Sequence, residues 1–184
     1  MEKIEKNIRQ RLSYFKKEDF LRQAYAFGLE YEQTRTGCSQ CVVCALEKVL
    51  GLDYPDLVKA SFSLCGGIIN TVEGTCGGLT GGALVIGYLY GRDKEEFEKT
   101  MFNRKSLSLA KKLFDKFIQE YNSIRCKDIQ TKIMGKSFNL WDEKEKRSFE
   151  NAGGHKDKCP VIVAKACAWT AEIIWDELLQ LRNK

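Results

Sequence analysis

The sequence has little proline and no long apolar run. Its two prolines, Pro55 and Pro160, leave long stretches in which helices can form without interruption. The most apolar stretch, residues 79–90, is broken by glycines and falls short of the roughly 18 apolar residues of a membrane span. The charged N-terminus lacks the apolar run of a secretory signal. We therefore expect a cytoplasmic protein that has no membrane partner.

Neither sign of charge dominates the sequence. There are 30 basic and 25 acidic residues, and the two signs alternate along stretches such as residues 142–147. Alternation of this kind is typical of a solvated helix face rather than a nucleic-acid groove. The charge pattern therefore predicts no nucleic-acid partner.

Apolar residues recur every three to four positions over most of the chain. This spacing, which is typical of helices, covers residues 4–31, 38–50, 109–121 and 159–178, and no alternating strand pair is evident. The length of 184 residues suits one hydrophobic core. We predict an all-α, single-domain helical bundle over residues 1–184. The polar segment at about 136–157 is expected to leave the core and to be its most mobile or irregular part.

Glycine is concentrated between Cys65 and Gly82, where seven glycines occur. Such a density favours tight turns or a close approach of the backbone to a bound group. The glycines do not follow a predicted strand, so they do not form a dinucleotide-binding motif. Gly77 and Gly78, next to Cys76, are the predicted cofactor-binding glycines of this glycine-rich loop.

Eight cysteines are many for a chain of this length, and in a reducing compartment they indicate metal binding or redox chemistry. Four of them are predicted to lie at helix N-termini, where unpaired N–H groups and the helix dipole stabilise a thiolate. Thiolate is the form that binds metal. We predict that these four converge on one metal site with sulfurs within roughly 7 Å of one another; they are Cys38, Cys76, Cys126 and Cys159.

The remaining cysteines are weaker candidates. Cys38, Cys41 and Cys44 are spaced as in the first part of a ferredoxin motif, but helical steps of about 100° would spread their side chains apart. Cys41 and Cys44 are therefore interpreted mainly as core residues, as is Cys167. Cys65 lies beside two glycines, and it and Cys41 are the candidates for additional metal ligands.

The single histidine, His155, lies four residues before Cys159. A solvent-exposed loop position is the favoured interpretation, because the residue follows two glycines in a polar segment. The alternative is a metal ligand or a proton donor at the cysteine site.

The order of the cysteine motifs resembles the C_GCAxxG_C_C family of redox-active proteins over about residues 25–180. The family pattern is a first Cys at a helix start, a Cys-Gly-Ala-x-x-Gly element and two further cysteines. The matching segments are Gly37-Cys38-Ser39-Gln40, Cys76-Gly77-Gly78-Leu79-Thr80-Gly81, Arg125-Cys126-Lys127-Asp128 and Lys158-Cys159-Pro160. Gly78 stands where the family has Ala. The resemblance implies a redox role and an iron-sulfur cluster.

Three functions agree with these features. The leading hypothesis is an electron-transfer protein with a cysteine-ligated [2Fe-2S] or [4Fe-4S] cluster and an unidentified redox partner protein. The first alternative is a cluster-free thiol-disulfide redox protein. The second is a structural zinc module, although gaps of 38, 50 and 33 residues between the four cysteines lack the paired cysteines of usual zinc sites. Whether the protein is an enzyme stays open, and a homo-oligomer agrees with the sequence.

Overall fold

A computed structural model describes residues 2–99, 102 and 104–180 of the protein. These residues form ten α-helices. A 3₁₀ turn, Phe62–Leu64, follows α4, and a π-helical turn, Gly154–Lys158, leads into α10. The described residues contain no strand, and Thr75 and Arg125 form an isolated bridge. The all-α prediction is confirmed. The helices are α1 Glu2–Leu12, α2 Lys17–Thr34, α3 Cys38–Leu50, α4 Pro55–Ser61, α5 Gly77–Tyr90, α6 Lys94–Glu98, α7 Arg104–Tyr121, α8 Cys126–Met134, α9 Glu143–Asn151 and α10 Cys159–Gln180.

The helix ends follow the glycine and proline positions of the sequence. Gly51 and Gly135 end α3 and α8 in the left-handed conformation, at φ +67° and +81°. Pro55 occupies the first turn of α4, where its missing N–H costs no hydrogen bond. No helix in the described ranges has the length and apolar character needed to cross a membrane.

The apolar stripes of the helices meet in one continuous core. The stripe of α7 consists of residues four positions apart, and all of them are buried, as predicted: Leu109, Leu113, Phe117 and Tyr121. Helix α10 lies along α2 and also contacts α3, α5 and α7. It is therefore the element around which the other long helices pack.

Glycines bring α5 unusually close to its neighbours. A Cβ atom on Gly81 would lie 2.5 Å from Ser39 O in α3, and one on Gly82 would overlap Thr170 Oγ1 in α10. Glycine at these positions lets the helix backbones approach one another, at a cost in helix propensity of about 1 kcal/mol each. The close contact holds the starts of α3 and α5 side by side.

The polar segment 136–157 does not simply leave the core. Its charged residues are largely exposed, but Phe138 and Phe149 are buried with their ring centroids 5.8 Å apart. The expectation of an excursion is wrong at these positions. The physical reason is that burial of one such aromatic side chain stabilises by about 1.5–3 kcal/mol, enough to fold a polar segment back.

Candidate cysteine site

One cavity brings the four predicted cysteines together. Cys38, Cys76, Cys126 and Cys159 all lie on the wall of a cavity of about 150 Å³. Cys76 and Cys126 are buried, and the other two are half-buried. Each cysteine comes from a different part of the chain, so only the tertiary packing of α3, α5, α8 and α10 places them on a common wall.

All four cysteines lie at a helix start, and at three of them the helix N-terminus is free. Cys38 and Cys126 are the first residues of α3 and α8, and Cys76 immediately precedes α5. Cys159 begins α10, but the π-helical turn Gly154–Lys158 runs directly into it and its N–H donates to Gly154 O. The expectation of a free helix N-terminus is wrong at Cys159, because the helical run begins five residues earlier.

A short antiparallel pairing sets Cys76 next to Cys126. The N–H of Cys76 donates to Ile124 O at 2.8 Å, and the N–H of Cys126 donates to Gly74 O at 2.9 Å. These two bonds flank the Thr75–Arg125 bridge. In this pairing Cys76 lies opposite Ile124 and Cys126 opposite Gly74, so the two cysteines are diagonal neighbours on one face, roughly 7–8 Å apart. The end of the glycine-rich loop therefore lies beside the start of α8.

The first part of the glycine-rich loop is left-handed. Five consecutive residues from Gly66 to Asn70 have φ between +47° and +71°, and Val72 has φ +58°. For the non-glycine residues this conformation costs roughly 1–2 kcal/mol each. Such strain is characteristic of functional segments held by their surroundings. Here the segment lies directly against the site, since a Cβ on Gly67 would be 2.8 Å from Cys126 Cβ.

Several N–H groups point at the cysteine sulfurs. Gly66 N–H donates to Cys38 Sγ at 3.4 Å, and Gln130 Nε2 donates to Cys126 Sγ at 3.8 Å. Cys76 receives backbone N–H bonds from Gly78 and Leu79. Donors of this type stabilise anionic sulfur, whether it is a free thiolate or a cluster ligand.

Gly77 and Gly78 serve the site by their lack of side chains. A Cβ on Gly77 would overlap Cys38 Sγ, and one on Gly78 would lie 3.2 Å from a ring carbon of Phe117 and 3.3 Å from Ala166 Cβ. Gly77 therefore makes room for the first cysteine. Gly78 contributes its N–H to Cys76 and lets α5 pack against α7 and α10.

Burial opposes ionisation of the thiols. It raises the pKa of all eight cysteines, and that of Cys76 reaches about 11 despite its two N–H donors. For Cys38 and Cys159 the next cause is the negative charge of Glu32. The expected stabilisation of thiolate at helix starts is thus outweighed by desolvation. A metal ion bound here would displace the thiol protons.

The other cysteines divide as follows. Cys65 lies on the cavity wall, with its Sγ 3.6 Å from Asn70 Oδ1. Cys41 is buried away from the wall, and its single thiol proton has two acceptors, Thr36 O at 3.1 Å and the Glu32 carboxyl. Cys167 is a core residue packed against Gly28. In the described parts of the chain, no three Cys, His, Asp or Glu side chains already stand close enough to hold a metal ion.

Comparison with known proteins identifies the family. The sequence profile described as "Putative redox-active protein (C_GCAxxG_C_C)" matches residues 36–173, which contain all four cysteines of the cavity. The chain belongs to the C_GCAxxG_C_C family. No curated protein and no solved structure matches it.

Glu32 is a wall residue of this C_GCAxxG_C_C protein that the sequence reasoning missed. It lies in the last turn of α2, four residues before the family match begins, and is 1% exposed. Burial raises its pKa to about 7, opposed by a hydrogen bond from Cys41. A signal was present in the sequence, because the buried face of α2 repeats every four residues and ends on this carboxyl: Phe20, Ala24, Gly28 and Glu32.

His155 is not in an exposed loop. It belongs to the π-helical turn, is partly buried and lies on the cavity wall. Its Nδ1 lies 2.7 Å from Glu150 Oε1, its Nε2 lies 3.9 Å from Glu32 Oε1, and its ring packs edge-on against Phe149. The favoured loop interpretation is wrong because the two preceding glycines begin a wide helical turn, a feature often found at functional sites.

Proposed function

We propose that this protein transfers electrons by means of an iron-sulfur cluster held by four cysteines: Cys38, Cys76, Cys126 and Cys159. The observation that carries the proposal is their presence on one cavity wall although four separate elements supply them. Four thiolates are the ligand set of both [2Fe-2S] and [4Fe-4S] clusters. All eight cysteines are free, as the reducing cytoplasm would keep them, and a redox partner protein would exchange electrons with the site.

The surroundings of the cysteines fit an anionic group of this kind. N–H groups reach the sulfurs of Cys38, Cys76 and Cys126. Apolar side chains such as Ile162 and Val163 line the same cavity. A bound cluster would supply one-electron chemistry, while the chain holds the sulfurs, donates hydrogen bonds and limits solvent access.

The thiol-disulfide alternative needs different properties from the same residues. A catalytic dithiol requires at least one accessible cysteine that ionises readily. Burial instead raises the pKa of each thiol on this wall. Thiols of this kind suit a bound metal cluster better than rapid thiol exchange.

The test is metal content after anaerobic reconstitution of the full-length protein with iron and sulfide. We expect visible absorption with near-stoichiometric iron and sulfide. Replacement of any one of the four cysteines by Ser should remove most of the bound iron. Cys44→Ser is the matched control, because Cys44 lies on the same helix as Cys38 but away from the cavity wall, and it should retain the iron of the unaltered protein.

Two outcomes would overturn the cluster. Colourless, iron-free protein after reconstitution would do so, and so would retention of zinc instead of iron when both metals are supplied. Iron retention in Cys38→Ser equal to that of Cys44→Ser would show that the cavity is not the binding site.

A further inference from the structure

At one end of the cavity the buried Glu32 carboxyl has fewer hydrogen-bond donors than it can accept, since Cys41 supplies one. Glu32 Oε2 is buried and has no hydrogen-bond partner, although its residue is only 1% exposed. A buried acceptor left unpaired costs about 1–3 kcal/mol, and more when it is charged. Glu32 Oε2 can therefore accept a hydrogen bond from a ligand in the cavity.

His155 adds a second acceptor beside the first. A carboxylate only accepts hydrogen bonds, so the 2.7 Å contact with Glu150 Oε1 places the ring proton on Nδ1. In the neutral ring Nε2 is then an acceptor, and it lies 3.9 Å from Glu32 Oε1. That separation is too long for a direct hydrogen bond, and both atoms can receive bonds from one donor placed between them.

The charges around this end favour a cation. Two carboxyl groups, Glu32 and Glu150, lie next to His155 at this end. Lys146 is the one Lys or Arg among the described wall residues, and its side chain is exposed to solvent. A small cation with several N–H donors therefore complements the site in both charge and hydrogen bonding.

We propose that the Glu32–His155 end of the cavity binds a small protonated amine, either ammonium or a short primary alkylammonium. The ammonium group donates to His155 Nε2 and to the Glu32 carboxylate, whose Oε1 lies 3.9 Å from that nitrogen and whose Oε2 is unpartnered. A short alkyl part lies against the apolar wall formed by Ile129, Ile162 and Val163. The proposal goes beyond electron transfer and concerns the metal-free protein, because the proposed cluster would occupy the same cavity of about 150 Å³. Neither Glu32 nor His155 belongs to the proposed cluster ligands.

The volume of the cavity limits the ligand. An apolar cavity of about 150 Å³ is known to hold a molecule the size of benzene, and this cavity has about the same volume. Methylammonium fits within that limit, whereas cyclohexylammonium exceeds it. Size selection therefore accompanies charge selection.

The experiment is an NMR titration of the full-length, metal-free protein with methylammonium chloride at pH 8, followed on Ile and Val methyl signals. Signals of Ile129, Ile162 and Val163 should move and saturate, while those of Ile8 and Ile174, which are core residues off the cavity wall, should stay in place. Potassium chloride, sodium acetate and cyclohexylammonium chloride at equal concentration should not produce these shifts. Metal-free protein keeps the result independent of the cluster.

Variants separate the site from general charge effects. Glu32→Gln should weaken methylammonium binding at least tenfold, because it removes the buried charge without changing the side-chain shape. Glu30→Gln is the matched control, being the same change on an exposed position of the same helix, and should alter affinity less than twofold. His155→Gln, as a second variant, should weaken binding severalfold.

The unchanged signals of Ile8 and Ile174 show that each variant is folded. Absence of cavity shifts with methylammonium would overturn the proposal. Equal shifts with potassium or acetate would overturn it too, as would equal affinity of Glu32→Gln and Glu30→Gln.

Discussion

The cavity has two walls of opposite character. The helical wall, formed by residues of α2, α3, α8, α9 and α10, is regular, and the glycines of α5 behind it let α3 and α10 pack closely. The loop wall, formed by residues 65–75 and by the π-helical turn before α10, departs from regular helix geometry. Glycine therefore has two roles around this cavity. In α5 it allows helices to approach, and at Gly66 and Gly67 it allows a left-handed backbone.

Each wall also carries its own energetic cost. On the helical wall the cost is a buried carboxyl, Glu32, with an unpartnered oxygen. On the loop wall the cost is left-handed backbone at branched residues such as Ile68 and Ile69. In the stripe of α7, apolar residues are buried on a regular backbone. Around the cavity a carboxyl group is buried and branched residues are left-handed, and departures of this kind are expected at functional sites.

The largest expected effect concerns the helical wall and pH. The pKa of Glu32 is raised by burial from 4.5 to about 7. Its contribution to stability is therefore fully present below about pH 4.5 and is lost as pH rises through 7. The free energy of unfolding should fall by up to about 3 kcal/mol over this range. Urea unfolding at pH 5 and pH 8 measures the change.

Glu32→Gln should remove that part of the pH dependence. Glu30→Gln, on the exposed face of α2, should keep it. If Glu32→Gln keeps the full pH dependence, Glu32 does not titrate in this range. Burial of its carboxyl would then not be what lowers the stability of the helical wall.

A second prediction concerns close packing in the helical wall. Gly81→Ala would bring a Cβ to 2.5 Å from Ser39 O, a backbone atom that cannot move alone, so α3 and α5 must separate. We expect a loss of about 2 kcal/mol in unfolding free energy. Gly87→Ala, on the same helix with nothing within 4 Å of its Cβ, should instead gain about 0.5–1 kcal/mol. In denaturant unfolding, the free energy of unfolding should fall in Gly81→Ala and rise in Gly87→Ala. Equal effects would contradict the packing argument.

The smallest expected effect concerns strain in the loop wall. Ile69 has φ +47° and is 54% exposed, so Ile69→Gly should relieve the backbone and raise the unfolding free energy by about 1 kcal/mol. Ile118→Gly is the control, because Ile118 is also exposed, at 38%, but lies within α7, where glycine should cost about 1 kcal/mol. The midpoint of thermal unfolding should rise in Ile69→Gly and fall in Ile118→Gly. Destabilisation by Ile69→Gly would mean that the side chain contributes more than the backbone strain.

The sequence predicted the features that depend on near neighbours along the chain. The four-residue repeat of α7 and the starts of α3 and α8 at Cys38 and Cys126 follow from helix geometry and from glycine positions. The start of α10 at Cys159 was predicted as well, but the π-helical turn before it was missed, because such a turn has no distinct periodicity in a polar segment. The expected readiness of the thiols to ionise was misjudged because burial is a property of the assembled core.

By itself the sequence determined the helices, their apolar faces and the order of the four cysteines, since each depends on residues within about one or two helical turns. Only the tertiary structure decided what faces those cysteines. Glu32 and His155 are 123 residues apart, and their meeting depends on α2 lying along α10 and on the turn that precedes α10. No local pattern encodes such a contact, because it arises from the burial of two distant surfaces in one core.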